Sequence, residues 1–371
     1  MNNPLPIVYI LDASVAITGA FVAGRNAARA LAGVAHVVMV LPKNHSIAEK
    51  DLRDFFSVKT IAIPSLSKNI AALLGYPPQL CAGTWRLRRL MARDGASRLM
   101  VNDFYVMHPV LLRLLGFRGT IATWVRCDPA RFAGPLAKPM LWLVARGSNH
   151  VMAVSMFIQH LLSPVMRSDM LYDYYTGEPR AAKQWGQADE KLFVMIGNYI
   201  HGKGQDMALS AFITAAETDN SIRLAFYGGD MGLQKNRHYR AQLSARAAQS
   251  AVANRIQFHD ATRDSAAVLA GAYAALNFSQ SESFSMTVLE ASGAGVPVIA
   301  TRSGGPQEIL VEGVTGYLIP VGDVAAATAC MLSLSTNPTL ATIMGQAGAS
   351  HVREHFARAN YITQLRAVLK V

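Results

Sequence analysis

A chain of 371 residues exceeds one ordinary hydrophobic core and points to two domains. With 51% hydrophobic and only 16% charged residues, its composition excludes a disordered chain and suits parallel strands buried on both faces. The formal net charge of +11 is uneven: residues 1–180 carry 20 Lys and Arg against 10 Asp and Glu, whereas residues 181–371 carry 15 against 14.

The first half therefore holds nearly all the excess, which implies an anionic partner such as a membrane surface or a phosphorylated acceptor. No nucleic-acid module accompanies the charge, so nucleic acid is not expected. No apolar run reaches the roughly 20 residues that span a bilayer. The N-terminus lacks a basic segment followed by an apolar signal core, so secretion is not expected. Cys81, Cys127 and Cys330 have no metal or redox spacing and read as reduced thiols. The expected location is cytoplasmic, peripheral at the inner face of the membrane.

Taken in order, Ile7 to Leu11 reads as a strand, Ile17 to Ala20 as a small-residue turn and Val22 to Leu31 as a helix, an entry of the doubly wound kind. Gly19 in that turn lets a ligand approach the backbone closely, or simply makes the turn tight. Short apolar runs recur at Val37 to Leu41, Thr60 to Ile63, Leu99 to Val101, Ile121 to Val125 and Val151 to Val154. Alternation of such runs with helical stretches predicts a parallel sheet with helices on both faces. Trp85 to Arg93 is the most basic segment. As a helix it places Leu87, Leu90 and Met91 on one side with arginines around them, suited to an anionic surface or to a solvated face. Pro139 to Ala145 is a short apolar run of the core or an interface, and Gly116 to Gly119 and Phe132 to Pro135 read as turns. Arg126 follows the Ile121 strand, where open α/β sheets bind ligands; phosphate, hydroxyls or a structural carboxylate are its candidate partners.

Tyr174 to Asp189 has few aliphatic residues and reads as the interdomain linker, dividing the chain into 1–180 and 181–371. Beyond it, Leu192 to Ile196, Ile222 to Tyr227, Ile256 to Phe258 and Ala274 to Phe278 are strands of a second doubly wound sheet. Lys203, flanked by Gly202 and Gly204 at the entry of the Asp206 to Ala216 helix, suits a pyrophosphate. The stretch from Ser279 to Gly305 carries the densest chemistry. Met286 to Ala294 is a helix that Ser283 or Ser285 can cap, and its first N–H groups, including those of Met286 and Thr287, suit a phosphate oxygen. Glu282 precedes the cap and Glu290 lies about two turns in, so the helical period brings both carboxylates toward one crevice. His351 to His355 fits an H-x-x-E-H pattern, but no third ligand accompanies it and a metal site is not expected.

Glu282 and Glu290 stand eight apart, with Phe284 between them and Ala291 following. Then come Ala294-Gly295-Val296-Pro297-Val298, Gly304-Gly305-Pro306-Gln307-Glu308 and Gly313-Val314-Thr315-Gly316-Tyr317-Leu318. This ordered set resembles the donor-site signature of the retaining group 1 glycosyltransferases, family four. The resemblance covers nearly all of the second domain and only loosely the first. It implies the GT-B fold: two doubly wound Rossmann-like domains facing across a cleft, the first acceptor-side, the second binding the nucleotide sugar, and the last helix packing back on the first.

The resemblance further implies a retaining glycosyltransferase that moves a sugar from a nucleotide-diphosphate donor to a glycan or lipid-linked acceptor, in surface polysaccharide or glycolipid synthesis. By it, Glu282 orients the donor sugar hydroxyls, Glu290 holds the ribose hydroxyls, Lys203 meets the diphosphate with the backbone of Ser285, Met286 and Thr287, and Gly19 lies on the phosphate and acceptor side. Three positions depart from the family pattern: Gly19-Ala20 replaces a glycine pair, Asn198 replaces an arginine beside the leaving group, and Arg126 or Cys127 stands where a histidine is usual. Arg126 or His201 are the side chains that can compensate. No Asp-x-Asp element stands ready for a divalent ion, so neither metal nor another cofactor is expected. A sugar-nucleotide epimerase and a non-catalytic sugar-nucleotide-binding subunit are the competing readings.

Overall fold

The computed structural model describes residues 4–64, 70–178, 184, 186, 190–262 and 264–371, with backbone alone at 70–73. The chain forms two compact units, Met1–Asp173 with Arg358–Val371, and Tyr174–Ala357. The linker expected at 174–189 lies partly outside the described residues. The division falls after Asp173 rather than near 180, because Tyr175 already belongs to the second unit. Its N–H donates to the Phe356 carbonyl at 3.2 Å, and its ring occupies the space a Cβ on Gly293 would take.

The first unit runs β1 (Ile7–Asp12), α1 (Gly19–Leu31), β2 (His36–Pro42), β3 (Ser57–Ile61), α2 (Ile70–Arg93), β4 (Arg98–Asn102), α3 (His108–Leu114), β5 (Thr120–Val125), α4 (Pro129–Ala133), α5 (Ala137–Gly147), β6 (His150–Ala153), α6 (Met156–Leu162) and β7 (Asp169–Met170). Its strands lie in the order β3-β2-β1-β4-β5-β6-β7, each pair parallel. The apolar runs alternate across the sheet, so Tyr9, Leu11, Val38, Val40, Leu99, Val101 and Ile121 share one face and bury Leu87 and Met91 of α2 and Leu112 of α3. The opposite face carries α1 and α14 (Arg358–Leu369), where Tyr361 meets Trp124 and Arg98 donates to the carbonyls of Leu369 and Lys370.

Two readings of this unit differ from the structure. β3 occupies Ser57–Ile61, not 60–63, because its pairing with β2 sets Ser57 opposite Val38 and Ile61 opposite Pro42. The turn expected from Phe132 is helical to Ala133, since Asp128 caps α4 by accepting from the N–H groups of Ala130 and Arg131 and Pro129 suits the first helical position.

The second unit runs β8 (Lys191–Ile196), α7 (Gln205–Thr218), β9 (Ile222–Tyr227), α8 (Gln234–Ala248), β10 (Ile256–His259), α9 (Ser265–Gly271), β11 (Ala274–Asn277), α10 (Met286–Gly293), β12 (Val298–Thr301), α11 (Pro306–Ile309), β13 (Gly316–Ile319), α12 (Val324–Thr336) and α13 (Pro338–His355). The parallel order is β10-β9-β8-β11-β12-β13. Connections from β8 leave to one side and those from β11 to the other, so the order reverses between these two strands. A crevice opens at such a reversal beyond the carboxyl ends. Helices α7, α8 and α12 cover one face over a core that includes Phe193, Phe212, Phe226, Tyr273 and Met331.

Candidate active site

The loop after β8 and the turn after β11 meet at that reversal. Gly204 lets them close. It holds a left-handed φ of +84° at the N-cap of α7, and a Cβ there would lie 2.1 Å from the Phe278 carbonyl oxygen. On the loop so placed, the Lys203 ammonium donates to Glu282 Oε1 at 2.6 Å. The same carboxylate oxygen accepts from the Ser279 hydroxyl at 2.7 Å. Ser279 is in turn held through its carbonyl by the Thr301 hydroxyl at the end of β12. A cation and a carboxylate thus stand together at the carboxyl edge of three adjacent strands.

Glu282 is not on the helix. It forms a single bridge with Gly304 and exchanges backbone hydrogen bonds with Ser303 and Gly305, so the helical period does not relate its direction to that of Glu290. The site is assembled by strand ends instead.

Ser285, not Ser283, caps α10. Its backbone is left-handed, with φ +84° and ψ +85°, a conformation that costs a non-glycine residue about 1 to 3 kcal/mol. The buried Asn277 amide holds it there, donating to Ser285 Oγ at 2.9 Å, while Val288 N–H donates to the same oxygen at 3.4 Å. With two hydrogen bonds accepted, the hydroxyl keeps its own proton for an acceptor. The N–H groups of Met286 and Thr287 lie in the first turn, where no helical carbonyl can reach them. The end of α10 therefore presents two N–H groups, one O–H and the positive pole of the helix beside Lys203, a cradle suited to an anion.

Glu290 lies about one turn along α10, half-buried. Burial pushes its carboxyl above the ordinary 4.5, and a hydrogen bond from Ser265 partly offsets this. Asn198 spends its side-chain oxygen on the N–H of Gly229 at 3.2 Å, tying the β8 loop to the β9 turn. Its amide N–H groups complete a neutral donor. His201 is exposed and lies over the Tyr239 ring, with centroids 4.1 Å apart.

In the first unit, Gly19 is the first residue of α1 and a Cβ there would meet nothing. Of the partners the sequence offered Arg126, phosphate, hydroxyls or a structural carboxylate, the structure shows the last. Its guanidinium makes a two-pronged pair with Asp173, at 3.2 and 2.6 Å, and lies 4.2 Å from the centre of the Trp124 ring. Both partners are buried, their side chains 8% and 2% exposed. Arg126 therefore serves the fold. The carboxyl edge of this sheet also gathers Asp12, Asn102 and Asp103, which sequence reasoning missed, although each stands at a strand end. Asp12 accepts from Ser14 N–H and from Asn102. Asp103 adopts φ +97° and accepts from the N–H groups of Phe104 and Arg126, and burial raises its carboxyl to about 6. Burial likewise pushes the Cys127 thiol up, away from reactivity.

His351 and His355 stack on α13 at 4.2 Å, and His355 Nδ1 contacts the His351 carbonyl within the helix. Among the described residues no group of three or more His, Cys, Asp or Glu is arranged to hold a metal ion.

The sequence model of glycosyl transferases group 1 matches residues 178–351, almost the whole second unit. Residues 178–351 thus carry the sequence of a group 1 glycosyl transferase domain. Among curated proteins similar to this chain, an alpha-1,3/1,6-mannosyltransferase of Dictyostelium discoideum is 31% identical over 196 residues, 49% of this chain and 46% of that protein. A GDP-mannose-dependent alpha-(1-6)-phosphatidylinositol monomannoside mannosyltransferase of Mycolicibacterium smegmatis is 28% identical over 288 residues, 73% of this chain and 68% of that one. The match thus spans less than half of the first relative's length. Among solved structures, HepE of Anabaena in complex with UDP and glucose superposes with a TM-score of 0.81 at 16% identity, covering 99% of each chain. A sucrose-phosphate synthase of Thermosynechococcus elongatus gives 0.77 at 18% identity over 98% of each. These likenesses establish the two-domain α/β GT-B fold. No helix among the described residues is long and apolar enough to cross a membrane.

Proposed function

We propose that the protein is a retaining glycosyltransferase that moves a sugar from a nucleotide-diphosphate donor to a glycan or lipid-linked acceptor without a metal ion, in surface polysaccharide or glycolipid synthesis. The observation that carries this reading is the Lys203–Glu282 pair, 2.6 Å long, set at the sheet's reversal point beside the N-terminus of α10. Breaking an anomeric bond leaves growing negative charge on the departing diphosphate. Lys203, the Ser285 hydroxyl and the N–H groups of Met286 and Thr287 are donors fixed beforehand where that charge develops. In this reading Lys203 exchanges Glu282 for phosphate when donor enters, and Glu282 turns to the sugar hydroxyls. Glu290 accepts from the ribose. Charge neutralisation falls to Lys203 and the helix end, in keeping with the lack of an Asp-x-Asp element in the sequence. Two similar proteins support a nucleotide-sugar donor: one is a GDP-mannose-dependent mannosyltransferase and the other was solved with UDP and glucose.

Glu290 gives the test. Glu290→Ala is expected to weaken binding of the preferred nucleotide diphosphate roughly 10- to 100-fold, the loss of a hydrogen bond to a charged group. Titration calorimetry measures it, and undiminished affinity for every nucleotide diphosphate in a folded variant would remove the assignment. The same carboxyl marks stability. Its folded value is raised, so its contribution is fully present below about 4.5 and is lost as pH rises through the raised value. Glu290→Gln should therefore raise the unfolding midpoint of the ligand-free protein at neutral pH and leave it unchanged in acid.

A further inference from the structure

Helix α3 packs between α2 and α5 on one side of the first sheet, and the outward faces of these helices are unusual. Trp85 of α2 is 60% exposed and Trp142 of α5 is 49% exposed. Each is accompanied by an arginine one turn on: Arg89 lies 5.5 Å from the centre of the Trp85 ring, and Arg146 lies 3.4 Å from that of Trp142. Leu114 at the end of α3 is 77% exposed, and Leu136, just before α5, is also open to solvent. Arg86, Arg88 and Lys138 add exposed cations to the same helices. Not one Asp or Glu occurs in residues 70–93, 108–114 or 129–147.

We infer that this helix layer docks on an anionic lipid surface. A tryptophan with a guanidinium over its ring has one apolar body and one charged tip, which suits the boundary between acyl chains and headgroups. Two such pairs on the helices that flank α3, with further cations and no carboxylate among them, match a plane of continuous negative charge. A protein partner would be expected to call for one compact apolar centre with a polar rim. The buried faces of the same helices serve the core through Leu87, Met91 and Leu112, so the outward residues are free of a folding role. The inference goes beyond the transfer reading and does not depend on it, because docking is measured with no donor or acceptor present.

The experiment is flotation of the full chain with vesicles of phosphatidylcholine alone and of phosphatidylcholine mixed with phosphatidylglycerol. Binding is expected to the anionic vesicles only, to weaken as salt is added, and to shift tryptophan emission to shorter wavelength. The triple variant Arg86→Gln/Arg88→Gln/Arg89→Gln should lose roughly a hundredfold in affinity. The double variant Trp85→Ser/Trp142→Ser should lose at least about tenfold, since each forfeits burial of a large apolar group. All five positions are exposed, so both variants should keep the wild-type unfolding midpoint. A control, Lys235→Gln/Arg353→Gln on the second unit, should bind as the wild type does. Equal binding to both vesicle types, binding to neither, or variants that float like the wild type would overturn the inference.

Discussion

Arg126→Ala is expected to destabilise the first unit by about 3 to 5 kcal/mol, the cost of leaving a buried charge without its partner. The expectation follows from the two contacts to Asp173, whose side chain is 2% exposed. The position alone, after β5 at a sheet's carboxyl edge, left open a contact with substrate or with a structural carboxylate. The geometry assigns the charge to the fold. Urea unfolding of Arg126→Ala, Asp173→Ala and Arg126→Met/Asp173→Leu decides between the two. Both single variants should unfold early, and the double variant should recover much of the loss because it buries no charge. An unchanged midpoint in Arg126→Ala, with only transfer impaired, would return Arg126 to the chemistry.

Lys203→Ala should slow single-turnover transfer about 10²- to 10³-fold, the usual consequence of removing one preorganised donor from a developing charge. Lys203 is the flexible cation at the α10 end, held at 2.6 Å by Glu282. Lys203→Arg should recover part of the rate, limited by the different shape of a planar guanidinium. Asn198, by contrast, already spends its side-chain oxygen on the Gly229 N–H. Its replacement by alanine should therefore loosen the loop. Transfer at the wild-type rate in folded Lys203→Ala would remove Lys203 from the assignment.

The parallel sheets were legible because their strands are short apolar runs, such as Val37 to Leu41 and Ile222 to Tyr227, separated by helical spacing. Lys203, Glu282, Ser285 and Glu290 stood out because glycines and a helix start frame them. What the sequence hid was partnership between distant residues. Nothing local links Arg126 to Asp173, 47 positions on, or Asn277 to the strained Ser285. The helical period says nothing of how Glu282 is directed, because the helix begins only after the left-handed Ser285. Helix α2 reaches well before the basic segment at 85–93 and runs through Pro77 and Pro78, two residues that lack a backbone donor.

The central claim, that the reversal point of the second sheet holds a nucleotide diphosphate, is tested most directly by thermal unfolding of the full chain with GDP, UDP, ADP and their sugar conjugates. Nucleosides and inorganic phosphate serve as controls. A ligand present at a hundred times its dissociation constant adds about 2.7 kcal/mol to stability. At least one nucleotide diphosphate is expected to raise the midpoint accordingly, the matching nucleoside should not, and Glu290→Ala should blunt the response. If no nucleotide diphosphate or sugar conjugate moved the midpoint of the wild-type chain, the site would not be a donor site.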